Sequence, residues 1–311
     1  MAGIGVVINP HARGNRRKPR RRKLFEAIVG DVGTVVETGD LQELDAALAA
    51  FHAGNIEVLA VCGGDGSVFH LLSRAIDLWG EDALPPLLPL RGGTINNLSR
   101  SIGARIRRPE AMLAHVVEGL RGGRAPVLAH RDLIRVNRRD YGYVVGVGAV
   151  VRFLDLYYRA RRPGPLSAFV LLVRLGLSWM FKTASIKEVM EPVEAEVCCD
   201  GSRLPFAGYS ILIAASVAHL GLGVRPFYLS GTVPGRYHLL AGPSSAGRLL
   251  ARLGHFALGL PARLDDLHDT AAGEVKAEFS RPQPITINGD ILEPVTCLHL
   301  EAGPRVAFVS G

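Results

Sequence analysis

The chain has 311 residues, enough for two domains or one large one. Hydrophobic residues make up 48% and mean hydropathy is +0.20, yet no apolar run reaches the ~18 uncharged residues of a membrane helix. The formal net charge of +7 gathers at residues 16–23 (RRKPRRRK) and at Arg159, Arg161 and Arg162, which suits phosphates or anionic lipid; no recognition motif for nucleic acid accompanies it, so none is expected as a partner.

Residues 4–8 predict a first buried strand, closed by Asn9-Pro10 and a loop reaching Gly14. A basic helix is expected over about 21–29 and a strand over 34–37. A helix over 41–51 follows, with Leu41, Leu44, Leu48 and Phe51 at helical spacing. The apolar run Val58 to Cys62 ends in Gly63-Gly64-Asp65-Gly66, and an amphipathic segment carrying Val68, Leu71, Leu72 and Ala75 comes next. A short strand over 87–90 ends in Arg91-Gly92-Gly93-Thr94-Ile95-Asn96-Asn97 and leads to a helix through Leu98 and Ile102. Pro109 fits the first turn of one more helix, over 110–120. Strands alternating with helices imply a parallel, doubly wound sheet. Ligands of such sheets lie beyond the carboxyl ends of the strands, where all three glycine- or asparagine-containing loops fall.

Residues 119–126 (GLRGGRAP) are the best boundary. Beyond them strands are expected over 127–136, 141–147, 193–199, 208–215, 237–240, 275–279, 285–288 and 296–300, joined by Gly- and Asp-containing turns. Helical stretches are expected at about 152–182 and 244–258. The expected organisation is therefore an α/β nucleotide-binding domain over 1–125 and a β-rich, mainly antiparallel domain over 126–311, whose last strand can return to the first domain. The four cysteines show neither zinc spacing nor a disulfide framework, and Met1 leads almost directly into IGVVI. A reducing cytosol and no secretory leader are the corresponding expectations.

A strand, a glycine loop and a helix together present backbone N–H groups to a phosphate at the electropositive helix start, and glycines let the ligand approach closely. Asp65 adds a carboxylate there that suits magnesium. A tight strand-to-helix turn accounts for the same residues. There is neither a P-loop nor a Gly-x-Gly-x-x-Gly fingerprint. His130-Arg131-Asp132-Leu133 with Asn137 matches the protein-kinase catalytic loop by letter, but the other kinase signatures are missing and residues 133–136 continue a strand, so chance accounts for it.

Asn9-Pro10, Gly63-Gly64-Asp65-Gly66-Ser67, Gly93-Thr94-Ile95-Asn96-Asn97, Asp132 in RDLIRVN and Asn288-Gly289-Asp290 form one set. Their order and spacing resemble the diacylglycerol kinase catalytic superfamily, which includes bacterial lipid kinases and sphingosine and ceramide kinases. The resemblance implies a Rossmann-like nucleotide domain, a β-rich second domain and an active site in the cleft between them, with ATP as co-substrate and Mg2+ as cofactor. It also implies that Gly63, Gly64, Gly66, Ser67, Gly93 and Thr94 cradle phosphates and that Asn9 and Asn96 shape the loops. By the same resemblance Asp65 and Asp132 belong to a carboxylate and magnesium network. Asp290 takes the place of the glutamate that receives the lipid hydroxyl's proton.

The chain departs from that pattern at several positions. Asn97 and Asn288 stand where aspartates are usual, and Asp290 is one methylene shorter than glutamate. The shorter reach, by roughly 1 Å, can cost about 100-fold where nothing compensates. Residues 232–235 (TVPG) replace an Asp-Asp-Gly. Residues 152–189 mix aromatics, arginines and the apolar run 169–181; they read either as a lipid-facing element or as core helices.

The resulting expectation is a cytoplasmic lipid kinase, peripheral at the inner membrane face, meeting a lipid substrate and an anionic surface. A homodimer is compatible with the sequence. The alternatives are a soluble-substrate kinase of the NAD kinase type, which shares Gly-Gly-Asp-Gly, and a non-catalytic nucleotide- or lipid-binding relative, suggested by Asn97 and Asn288.

Overall fold

Strand β1 (Ile4–Ile8) is buried along its whole length, as an apolar run covered on both faces of a parallel sheet should be. The computed structural model describes residues 3–93, 97–159, 164–181, 184–220 and 224–310, with the side chains of 97, 165, 166, 184 and 185 outside that description. The chain separates into two units, Met1–Arg131 with Pro304–Gly311, and Asp132–Gly303.

In the first unit β1 is followed by the single turn α1 (Arg13–Arg16), α2 (Arg21–Val29), β2 (Gly33–Glu37) and α3 (Leu41–Ala53). Then come β3 (Val58–Gly63), α4 (Asp65–Trp79), β4 (Leu87–Arg91), α5 (Asn97–Ser101) and α6 (Pro109–Arg121). Asp40 caps α3 by accepting from the Glu43 N–H at 2.8 Å, and Glu43 reaches back to the Gly39 N–H, a reciprocal arrangement that fixes the helix start. The strands pair in parallel in the order β4-β3-β1-β2, and the chain's end adds a further parallel strand through Phe308 opposite Leu87. Alternation splits the side chains between two layers. Val6, Ile8, Ala60, Cys62, Leu88 and Leu90 pack with Phe25, Val29, Met112 and Val116 of α2 and α6. On the other side α3 and α4 bring buried Leu48, Phe51, Leu71 and Leu72.

The second unit takes up β5 (Leu128–Val136), whose first residues belong to the first, and continues with β6 (Asp140–Gly142), β7 (Val144–Gly148), α7 (Ala149–Tyr158), α8 (Pro165–Met180) and α9 (Ala184–Val189). β8 (Val193–Cys199), β9 (Ser202–Arg203), β10 (Gly208–Tyr209), β11 (Ile211–Ala215) and β12 (Tyr237–Gly242) follow. The unit ends with α10 (Ala246–Ala251), α11 (Leu253–Leu258), β13 (His268–Ala272), β14 (Glu274–Ile287) and β15 (Asp290–Val309). Here the pairing is antiparallel, in the order β13-β12-β11-β7-β14-β15, with β8 beside β14. The α/β class with parallel strands first and antiparallel strands after is the one expected from the sequence.

The helical stretch expected over 152–182 holds α7 and α8 as separate helices: α8 starts at Pro165, which has no N–H to donate, and Ser167 accepts from the Gly164 N–H at 2.8 Å. Among the strands, two differ from expectation. The stretches 275–279 and 285–288 are one strand, β14, whose register shifts between Glu278 and Ile285, where Pro282 and Pro284 stand. The helical stretch 244–258 is two short helices. β13 (HDTAA) has little apolar alternation and gave no strand signal.

β14 and β15 meet at a two-residue turn, with Ile287 opposite Asp290 and both turn residues at positive φ, Asn288 at 54° and Gly289 at 100°. Asn-Gly is the pair that such a hairpin favours. Asn288 also holds the neighbouring strand: its Oδ1 accepts from the Tyr143 and Val144 N–H groups at 2.8 and 3.0 Å, and its own N–H donates to the Val144 carbonyl at 2.7 Å. The Tyr158 hydroxyl donates to the Gly289 carbonyl at 2.9 Å, pinning the turn to the end of α7. Replacing Asn288 by Gly should cost about 2–3 kcal/mol, because two buried N–H groups lose their acceptor. Ala should cost about 1 kcal/mol more, because it must also take a left-handed conformation. Urea denaturation of both variants checks the order; an Ala variant as stable as the Gly variant contradicts it.

Candidate functional site

β1, β3 and β4 end close to one level, with Ile8 opposite Cys62, Gly63 opposite Arg91 and Asn9 directly after β1. The loops beyond them are stitched together by their own backbones. Asn9 N–H donates to the Cys62 carbonyl at 3.1 Å, Gly92 N–H to Gly63 at 2.9 Å, and Gly14 N–H to Gly92 at 2.8 Å. These approaches need glycine. A Cβ on Gly92 would lie 2.9 Å from the Gly63 nitrogen and 3.0 Å from Asn15 Oδ1, and one on Gly63 would lie 2.3 Å from the Ser67 side chain.

Gly64 is the residue before α4, and Asp65, Gly66 and Ser67 form the helix's first turn. The N–H groups of that turn have no partner within the helix, and the dipole of this 15-residue helix makes the end electropositive. Asn9 Nδ2 donates to Ser67 Oγ at 2.8 Å, tying the end of β1 to this turn, while Asn9 Oδ1 accepts from the His11 N–H at 2.8 Å. The edge therefore offers a glycine-lined surface with amide hydrogens and one half-buried carboxylate, Asp65. Such a surface suits a phosphate, and an oxygen ligand like Asp65 suits the hard divalent cation that accompanies it.

Below the loops lies a polar network that sequence reasoning missed. Asn15 is buried, and its Nδ2 donates to the Asn9 carbonyl at 2.7 Å and to the Cys62 carbonyl at 2.8 Å. Its Oδ1 accepts from the Arg21 guanidinium and, at 3.3 Å, from the Cys62 thiol. Arg21, 6% exposed, is in turn paired with Glu110 of α6 at 3.0 Å, which also receives Lys18 at 3.1 Å. Burial pushes the Cys62 thiol up to about 11, so it stays protonated at neutral pH. Burial also works against the Glu110 carboxylate, but hydrogen bonds from its own backbone N–H, Lys18 and Arg21 outweigh it and hold the group below its usual 4.5. Arg21 looked like one more member of a solvated basic run. Its spacing from Phe25 and Val29, the other buried residues of α2, was the signal that it faces inward.

The remaining predicted residues fall as follows. Gly93 lies close to Gly64, where a Cβ would stand 3.5 Å from the Gly93 Cα. Thr94 and Asn96 lie outside the described residues, as does the Asn97 side chain. Asp132 and Asp290 belong to the second unit. Asp132 is buried, and its carboxylate accepts from the Gly235 N–H at 3.2 Å, in the turn where the sequence has TVPG. Asp290 is half-buried at the start of β15, directly after the Asn288-Gly289 turn. Among the described residues, the group with metal-ligand spacing is a different one, Glu274, His299 and Glu301. Its carboxylates already meet Lys276 at 2.8 Å and Arg138 at 3.7 Å.

Residues 3–123 match the family model of the diacylglycerol kinase catalytic domain, which supports the superfamily read from GGDGS and its companion motifs. No curated protein matches the chain. Three solved structures from Bacillus anthracis str. Sterne share its fold. Two, each named a "putative diacylglycerol kinase", are 16% identical with TM-scores of 0.72 and 0.71. A third, named a diacylglycerol kinase, is 15% identical with a TM-score of 0.63. Each comparison covers 99% of this chain and 97% of the other.

Asn15→Ala should lower stability by about 2–3 kcal/mol, since it strands buried carbonyls and the Arg21 fork; exposed Arg22→Ala, whose ion pair with Glu26 is on the surface, should cost under about 1 kcal/mol. Denaturant titration of both checks the contrast. The Glu110 carboxyl has a lowered folded-state pKa, so its contribution is complete above the unfolded value and is lost as pH falls through the folded one. The stability gap between wild type and Glu110→Gln should therefore be full at pH 7 and shrink as pH drops below 4.5. A gap that stays constant down to pH 3 would sink this account of the pair.

Proposed function

We propose that the chain is an ATP- and magnesium-dependent lipid kinase that transfers the γ-phosphate of ATP to the hydroxyl of diacylglycerol or a related lipid. The observation that carries this reading is the glycine edge: three loops held at van der Waals distance, opening on the first turn of α4 with Asp65 inside it. The match of residues 3–123 to the diacylglycerol kinase catalytic domain directs the choice of chemistry.

In this reading Gly63, Gly64, Gly66, Ser67, Gly93 and Thr94 hold the phosphates through backbone and hydroxyl donors, and Asn9 and Asn96 keep the loops in register. Asp65 and Asp132 would supply hard oxygen ligands for magnesium, which when bound would neutralise phosphate charge. Phosphoryl transfer depends on position and charge more than on covalent help. The lipid oxygen bonds to the γ-phosphorus as the bond to the ADP oxygen breaks, and Asp290 receives the hydroxyl proton. The enzyme would work in the cytoplasm, peripheral to the inner membrane face. Asn288, whose loss of charge suggested a non-catalytic relative, has a structural duty as the acceptor of two backbone N–H groups.

Labelled ATP with magnesium, offered a panel of lipid alcohols and NAD, tests the assignment. Labelled lipid is the expected product; labelled NAD, or no product at all, would replace it with one of the two alternatives. Asp290→Asn should lower kcat by about 100-fold or more with little change in the KM for ATP. A variant as fast as wild type would remove Asp290 from the role of base.

A further inference from the structure

We propose that the exposed face of α8, continued by α10 and α11, docks the protein on an anionic bilayer by lying in the headgroup region. The purpose of that docking rests on the lipid-kinase reading; the surface itself is argued independently of it. Among the described residues, α8 packs on α7 and α9 along one stripe and meets α10 near its C-terminal end. Leu171 and Leu175 pack with Ala149, Ile186 and Val189, Ala168 is buried, and Ser178 Oγ accepts from the Ile186 N–H at 3.0 Å. Most of the described side chains outside that stripe are apolar and exposed. Phe169, Val173, Leu177, Trp179, Met180 and Phe181 are each between 44% and 71% exposed. α10 lies against α8, with Gly247 so close that a Cβ there would stand 2.8 Å from the Trp179 ring. Leu250, Leu253 and Leu258 extend the exposed apolar surface along α10 and α11. Large apolar side chains exposed together on neighbouring helices mark an interaction surface.

Charge selects the occupant. From residue 156 to residue 187 there is no Asp or Glu, against six cations: Arg159, Arg161, Arg162, Arg174, Lys182 and Lys187. A two-fold contact with a second copy would bring this cationic segment against itself. An anionic bilayer matches both features, taking the aromatics at its interface and the cations at its headgroups. Arg174, exposed in the middle of the apolar helix, can extend its guanidinium to the headgroups while its stem stays with the apolar side chains. The helix has 16 residues, about 24 Å at 1.5 Å per residue. That is short of the ~30 Å hydrocarbon core, so it lies in the plane of the interface and does not cross.

Trp179 makes a direct reporter. The only other tryptophan, Trp79, is buried on α4 and can be replaced by Phe to leave a single signal. Full-length Trp79→Phe protein, without ATP, is titrated with phosphatidylglycerol vesicles and with phosphatidylcholine vesicles. The expected result is a blue shift of Trp179 emission with phosphatidylglycerol, and binding at least tenfold weaker to phosphatidylcholine and in high salt. Val173→Asp/Leu177→Asp, both at exposed positions, should weaken vesicle binding at least tenfold while circular dichroism and Tm stay unchanged. If that variant misfolds, quenching of Trp179 by brominated lipid in the parent protein decides. An emission spectrum that does not move with phosphatidylglycerol overturns the proposal. So does a blue shift that tracks protein concentration and dimer formation without lipid, which would make a second copy the occupant. Vesicle binding with no turnover on any lipid would retire the kinase reading and leave the docking surface standing.

Discussion

The glycine edge depends on one buried amide. Asn15 donates to the Asn9 carbonyl just beyond β1 and to the Cys62 carbonyl near the end of β3 and accepts from Arg21, so a single side chain ties together two strand ends and the loops that leave them. Its own position is set by a guanidinium almost wholly out of water. Arg21 is tolerable there because Glu110 supplies a counter-charge from α6. A buried ion pair gives little net stability against an apolar substitute, but removing one partner costs about 3–5 kcal/mol, so the arrangement is fixed once made. That rigidity lets Gly92 sit against the Gly63 nitrogen without drifting, and a phosphate-sized anion needs donors held in place before it arrives.

The second unit places its functional candidates by the same economy of backbone. Asp290 follows a turn whose two residues both sit at positive φ, and Asn288 satisfies two strand N–H groups with one oxygen. Tyr158, at the end of α7, holds the turn's carbonyl. Asp132 is fixed through the Gly235 N–H, so the TVPG turn that looked like a lost acidic motif still anchors a carboxylate. The same unit carries the opposite kind of surface in α8, where most of the described side chains outside the contact stripe are apolar and exposed.

Local signals carried the sequence as far as the fold class and the glycine loops. Runs of buried β-branched residues between amphipathic stretches gave β1, β3, α3 and α4, because a period of 2 or 3.6 is written in consecutive residues. Gly63-Gly64-Asp65-Gly66 was readable because glycines closing an apolar run before an amphipathic one mark a strand-to-helix loop. Asn288, expected to end a strand, is instead the first residue of a hairpin turn. The two pieces of β14 were misjudged at Pro282 and Pro284, where a local rule predicts a break and pairing with neighbouring strands carries the strand through.

What the sequence determined by itself was the order of strands and helices, the sites of tight turns and the identity of the acidic and amide candidates along the chain. Tertiary structure decided which charged residue of a basic run is buried, which glycines meet across strands, and which side of an apolar helix is left bare. Arg21 and Glu110 are 89 residues apart, and Asn15 and Cys62 are 47 apart. Neither pairing has a local period, because packing alone brings those positions together and burial alone makes a partner necessary.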